Sequence, residues 1–322
     1  MTAARDIYIG SLFHAAKSDP RICLISVDMG APTLDQWRAE LPSQFISAGI
    51  SEQNAINVAA GMAQSGRIPI VYFMAIWTAR CFEQIRYSCA MPGLPVTIVG
   101  NGVGLGYAPA GPAHEPTEDL AYMRSLAGIE VWSPCSTDQV LGLALMTHEM
   151  PALRYLRLER AMPSNWEAGR LPGAEVGTDE KGFPRPIRSL GSSSTMIEVC
   201  ILSYGFMLGR ALNLAARLEA CGIGASVVDI ARLKPMPAEE LARHCQAARL
   251  LVTLEEHFLD GGFGSAVAEY LADSNSPSRL LRLGLPNRYI FENGKRDQLL
   301  DASGLSIDEI EKSVIERLRP TA

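Results

Sequence analysis

Two side chains in this sequence stand where chemistry would want them: Glu52, in Ile50-Ser51-Glu52-Gln53-Asn54, and His114, in Gly111-Pro112-Ala113-His114-Glu115-Pro116. Glu52 opens a stretch that is otherwise small and apolar, with Ile56, Val58, Ala59, Ala60, Gly61 and Met62, which predicts one carboxyl at the start of a closely packed helix. A carboxyl held out of water can exchange a proton near neutrality, whereas an ordinary helix start explains the same residues by Ser51 capping and Glu52 favouring the positive end. His114 lies among a glycine and two prolines, a composition that fixes an irregular loop and suits a side chain presented at a rim. An imidazole there can donate or accept a hydrogen bond near neutral pH; a histidine serving only the fold is the plainer alternative.

Two blocks of alternating helix and strand signals would position these residues. In the first, residues 1–160, the apolar runs Ile22 to Val27, Ile68 to Phe73 and Val96 to Val99 read as buried parallel strands with helical segments between them. From 161 to 195 the composition turns to proline, glycine, serine and mixed charge, as in Pro172-Gly173 and Gly191-Ser192-Ser193-Ser194, and a linker is expected. The second block, 196–322, opens with a strand from Glu198 to Ser203, a turn at Tyr204-Gly205 and a helix from Leu208 to Ala220. Further strands follow from Ala225 to Ile230 and from Arg249 to Leu254. The expected fold class is α/β, two domains, each a mostly parallel sheet flanked by helices.

Composition bounds the function. With 48% hydrophobic and 20% charged residues the chain is globular, and a net charge of −6 gives no electrostatic draw toward nucleic acid or an anionic membrane. No apolar run approaches the roughly 20 residues of a membrane span. The seven cysteines, at 23, 81, 89, 135, 200, 221 and 245, form no C-x-x-C pair; with no leader-like pattern in MTAARDIYIG, a reducing, cytoplasmic setting is expected.

The segments taken in order, SVDMG around Asp28, FISAGISEQN, IPIVYFMAIWTARCFEQIR, GPAHEPTEDLAYMRSL and IEVWSPCSTDQV, closely resemble the pyrimidine-binding domain of the transketolase family of thiamine diphosphate enzymes. DIARLKPMP and EEHFLDGGFGSAVAE are similar to that family's C-terminal domain, so the resemblance runs nearly end to end. It implies that Glu52 hydrogen-bonds the cofactor's aminopyrimidine, which removes the proton from the thiazolium carbon, while the protein supplies position and electrostatics. It also implies that Phe73 stacks on the pyrimidine, that Ile76 stands where many relatives have a second aromatic, with Trp77 beside it, and that Asp28 lies near the cofactor. His114 would contact the substrate carbonyl or hydroxyl, and Arg160, in Leu156-Arg157-Leu158-Glu159-Arg160, would hold a substrate phosphate by two hydrogen bonds. Core packing for Phe73, a strand end or turn cap for Asp28 and a surface position for Arg160 remain the alternatives, and nearby Arg157 competes for the arginine's place.

Two departures qualify the transfer. The family's Gly-Glu-Asp-Gly loop is replaced by Gly106-Tyr107-Ala108-Pro109-Ala110-Gly111, which is longer and has lost both acids, pointing to an altered acceptor. The Gly-Asp-Gly segment that binds diphosphate and magnesium in full-length transketolases does not occur. The chain thus looks like the C-terminal subunit of a split transketolase, transferring a two-carbon ketol unit between sugar or sugar-like substrates. It would work with an N-terminal subunit that holds the diphosphate and its divalent cation, and would self-associate, as a heterotetramer. The alternatives are a beta subunit of a 2-oxo-acid dehydrogenase and a non-catalytic assembly subunit whose cofactor site has decayed.

Overall fold

The computed structural model describes residues 3–160, 171–245 and 248–318. The first half runs α1 (Ala4–Ala16), β1 (Ile22–Ser26), α2 (Pro32–Glu40), β2 (Phe45–Ser47), α3 (Glu52–Gln64), β3 (Ile68–Met74), α4 (Thr78–Gln84), β4 (Thr97–Asn101), α5 (Asp119–Met123), β5 (Glu130–Trp132), α6 (Thr137–Glu149) and β6 (Arg154–Leu158). The second runs β7 (Arg188–Ser192), β8 (Val199–Ser203), α7 (Leu208–Ala220), β9 (Ala225–Asp229), β10 (Arg232–Lys234), α8 (Ala238–Cys245), β11 (Leu250–Phe258), α9 (Phe263–Asp273), β12 (Arg279–Leu285), α10 (Arg296–Leu300) and α11 (Ile307–Leu318).

Strands β1, β4 and β6 are buried along their whole length, as strands covered on both faces are, and in β6 this includes Arg154 and Arg157. The first sheet has the order β10-β5-β6-β4-β3-β1-β2, and all its pairings are parallel except that of β10 with β5. The second has the order β12-β11-β8-β9-β7 and is parallel except for β7. The expected mostly parallel α/β architecture is therefore the observed one.

One local expectation is corrected, and two features were not read from the sequence. Ser51 does not cap α3; its hydroxyl donates back to the Ala48 carbonyl, three residues earlier. The stretch read as linker contains β7, whose Arg188 is held by buried Asp229 at 2.8 Å; its residues 161–170 lie outside the described part. Strand β10 comes from the second block yet extends the first sheet, with Ser133 N–H donating to Ala231 O at 2.8 Å. One apolar core accordingly runs across the seam, joining Phe73 and Val131 to Leu233 and Phe263.

Candidate active site

The carboxyl ends of parallel strands are where an open α/β sheet leaves a crevice. Asp28 follows β1, Glu52 opens the helix after β2, Trp77 follows β3, the loop carrying His114 follows β4 and Arg160 follows β6. The first sheet thus gathers the candidate residues along one edge.

Glu52 is only 5% exposed, because Ala55, Ile56 and Ala59 turn the inner face of α3 into the core. Its Oε2 accepts from Arg80 Nη1 at 3.2 Å, and the Arg80 guanidinium lies 4.8 Å from the centre of the Trp77 ring. Gln53 Nε2 donates to Arg80 O at 3.2 Å, tying the first turn of α3 to α4. Arg80 is half exposed, so the ion pair is screened and contributes about 0–1 kcal/mol; its effect is to orient the carboxylate.

Phe73 has no exposed surface and packs among Ile25, Val71 and Ile98 on the buried part of β3. Ile76 is half buried in the turn after β3. Trp77 is the aromatic at the rim, its ring 6.4 Å from that of His114 in an edge-to-face arrangement. Asp28 is exposed and adopts φ 38°, the left-handed region that aspartate tolerates better than most residues, two residues beyond the end of β1.

The loop after β4 is built around Tyr107. Gly102 has φ +75°, and a Cβ there would lie 1.9 Å from the Tyr107 ring, so only glycine lets the ring fold back over the backbone. Asn101 Nδ2 donates to the Tyr107 hydroxyl at 2.9 Å. The Arg160 guanidinium lies 4.8 Å above the same ring, exposed, and among the described residues it makes no ion pair. His114 ends a short 3-10 turn after Gly111, and its Nδ1 is buried without a hydrogen-bond partner among the described residues. A buried, unanswered ring nitrogen beside an aromatic rim is a position at which a substrate hydroxyl or carbonyl could be received.

Beneath this rim, Arg157 and Arg160 part company. Arg157 is fully buried and holds Asp119 with two bonds, at 2.8 and 2.9 Å, while Tyr155 donates to the same carboxylate at 2.7 Å. Asp119 is buried too, yet Arg157 keeps its pKa below the usual carboxylate value. His257 donates from Nδ1 to Phe258 O at 2.6 Å and accepts from Ala121 N–H at 3.4 Å; burial lowers its pKa, and the neutral ring links the second domain to α5. Arg157 is thereby committed to the fold.

Residues that periodicity and motif left unread complete the site. Burial pushes the Glu115 carboxyl up to about 7, with Glu256 adding to the shift. Arg296 joins Glu256 to Glu159 across the two domains. Nothing local marks them, although Glu256 does sit in a run of two acids and a histidine.

The family profile for "Transketolase, pyrimidine binding domain" matches residues 2–163, and that for "Transketolase, C-terminal domain" matches residues 194–310. The 6-deoxy-6-sulfo-D-fructose transketolase subunit SqwH of Clostridium sp. (strain MSTE9) is 32% identical over 319 residues, covering 97% of this chain and 93% of that one. The 1-deoxy-D-xylulose-5-phosphate synthase of Synechococcus sp. (strain JA-2-3B'a(2-13)) is 34% identical over 311 residues, of which this chain spans 46% of the length. Among solved structures, a split gene transketolase described as an inactive beta4 tetramer superposes with a TM-score of 0.83 at 31% identity, covering 99% of both chains. With both domains matched in order and subunit-length relatives aligned end to end, the chain belongs to the transketolase family.

Proposed function

We propose that this chain is the pyrimidine-side subunit of a two-subunit, thiamine diphosphate-dependent transketolase, moving a two-carbon ketol unit from a ketose to an aldose or related aldehyde. The observation that carries the reading is the continuous line Glu52–Arg80–Trp77–His114, which sets a buried carboxylate, an aromatic face and an unpartnered imidazole nitrogen side by side. Those residues fit half of the cofactor: Glu52 would hydrogen-bond the aminopyrimidine, Trp77 or Ile76 would wall it, and Asp28 would stand at the crevice edge. When bound, thiamine diphosphate supplies a nucleophilic carbon that cleaves next to a ketose carbonyl. His114 would bind the carbonyl or hydroxyl of the transferred fragment, and Arg160, braced on Tyr107, would hold an anionic group at the far end of the substrate.

The other half belongs to a partner. No Gly-Asp-Gly segment occurs in the sequence, and among the described residues no three of His, Cys, Asp and Glu converge as metal ligands. We assign the diphosphate and its magnesium to a separate N-terminal subunit because two relatives described as split transketolase chains align with this chain over 93% and 99% of their own length. Ile50, two residues before Glu52, is 77% exposed, and Tyr87 and Met91 are exposed as well; a second copy of the chain or the partner would cover such apolar side chains, which suits a heterotetramer. No described helix is long and apolar enough to cross a membrane.

Mixing the purified chain with the cognate N-terminal subunit, thiamine diphosphate and magnesium tests this. Phosphorylated and sulfonated ketoses serve as donors, the latter because one relative is named for such a sugar. Ketol transfer by the mixture and by neither subunit alone is the expected result. Decarboxylation of 2-oxo acids without ketol transfer, or turnover by this chain alone, would overturn the reading.

A further inference from the structure

Arg296 is the first residue of α10, in the C-terminal half, yet its guanidinium is directed to two buried glutamates on different elements. Nη1 donates to Glu159 Oε2 at 2.7 Å and Nε to Glu256 Oε1 at 2.8 Å, while the Phe206 ring covers the guanidinium at 3.8 Å. Phe206 N–H donates to Glu159 Oε1 at 3.1 Å, so the strand end after β6 is fixed from two sides by the second domain.

Each glutamate leads to a substrate-facing side chain. Glu159 immediately precedes Arg160. Glu256 fills the space over Gly104, where a Cβ would lie 2.6 Å from Oε2, and accepts a backbone hydrogen bond from Leu105, in the loop that carries Tyr107 and ends at His114. Glu115, next to His114, is buried and feels the Glu256 charge. Removing a cation from between buried carboxylates leaves them unpaired and destabilises the seam.

We propose that Arg296 is a positioning residue: from the C-terminal domain it holds the strand end bearing Arg160 and the loop bearing His114 in one mutual arrangement. The proposal rests on reading Arg160 and His114 as substrate-facing, and its two measurements are separable from that reading.

The first measurement is hydrogen–deuterium exchange of the chain, comparing wild type with Arg296→Met, Arg296→Lys and Arg210→Met. Arg210 is the control because its bonds, to Asp297, Asp301 and Leu305 O, remain inside the second domain. In Arg296→Met, amides of residues 102–108 and 159–160 are expected to exchange about tenfold faster or more, with partial recovery in Arg296→Lys and no change there in Arg210→Met. Unchanged exchange at those amides in folded Arg296→Met overturns the proposal. Should Arg296→Met fail to fold, Glu159→Gln, which keeps its shape and weakens only one arm, replaces it with the same expectation.

The second measurement is steady-state kinetics with the partner subunit. Arg296→Met is expected to raise KM for an anionic acceptor about tenfold and to lower kcat/KM for the donor, which meets His114, and Arg296→Lys to recover part of both losses. A KM equal to wild type counts against the proposal. Absence of ketol transfer by the wild-type pair counts against the transketolase reading, and the exchange measurement then decides the role of Arg296.

Discussion

Arg80 reaches Glu52 at 3.2 Å and lies 4.8 Å over Trp77, so one half-exposed side chain ties the carboxylate at the head of α3 to the aromatic beside His114. The strut is an orienting device. Arg80→Met is expected to change the unfolding free energy by less than about 1 kcal/mol, as for other solvent-screened pairs. Urea denaturation gives that difference, and Trp77, whose ring loses its cation, is expected to show altered fluorescence in the folded chain.

Two arginines three residues apart are expected to behave oppositely. Arg157→Met leaves Asp119 buried without its cation and is expected to cost about 3–5 kcal/mol. Arg160→Met removes an exposed group and is expected to stay within about 0.5 kcal/mol of wild type while raising KM for anionic substrates in the assembled enzyme. Denaturation of both variants under one set of conditions, with kinetics for Arg160→Met, separates the roles.

Stability should carry a signature of Glu115. An acid raised from 4.5 to about 7 on folding keeps its proton in the folded chain where the unfolded chain has lost it. Its contribution is therefore full below about pH 4.5, falls by up to about 1.4 kcal/mol per pH unit, and is gone above about pH 7. Lowered histidines such as His257 slope the other way below pH 6.5, so the informative quantity is the difference between wild type and Glu115→Gln. That difference is expected to decline from pH 5 to 7 and level off by pH 8; parallel curves would show that Glu115 does not titrate in this range.

The Tyr107 loop and His114 are expected to control different ends of the reaction. His114→Ala should impair donor cleavage, whereas Tyr107→Glu, which restores an acid to the loop, should mainly redistribute preference among acceptors. Competing aldehydes compared by kcat/KM give the answer. An equal loss for every acceptor would mean that Tyr107 acts only as the brace for Arg160.

Local pattern made much of this legible. The helix read from Leu208 to Ala220 is α7 with the same ends, and the run beginning at Ile22 is β1, because apolar spacing and flanking turn residues fix such elements from within. Strand β10 was not legible: Arg232 and Lys234 belong to the second block in sequence, and only the packed seam gives them a partner in β5. Among the candidate site residues, Glu52 and His114 stand out by local context. The run holding Phe73 reads as a strand and is β3, with the Phe73 ring buried. Arg296 and Glu256 were beyond reach, as 137 residues separate Arg296 from Glu159 and no spacing rule spans that distance.

Exchange of the thiazolium-carbon proton of thiamine diphosphate, followed by quenched-flow NMR, tests most directly whether Glu52 activates the cofactor in a shared site. With wild-type chain, N-terminal subunit and magnesium together the exchange should be fast. It should be slow with either subunit alone, and about 10²–10⁴-fold slower in an assembled Glu52→Gln complex. Wild-type exchange in that assembled variant would reduce Glu52 to the opening residue of a helix, and fast exchange with this chain alone would remove the need for a partner.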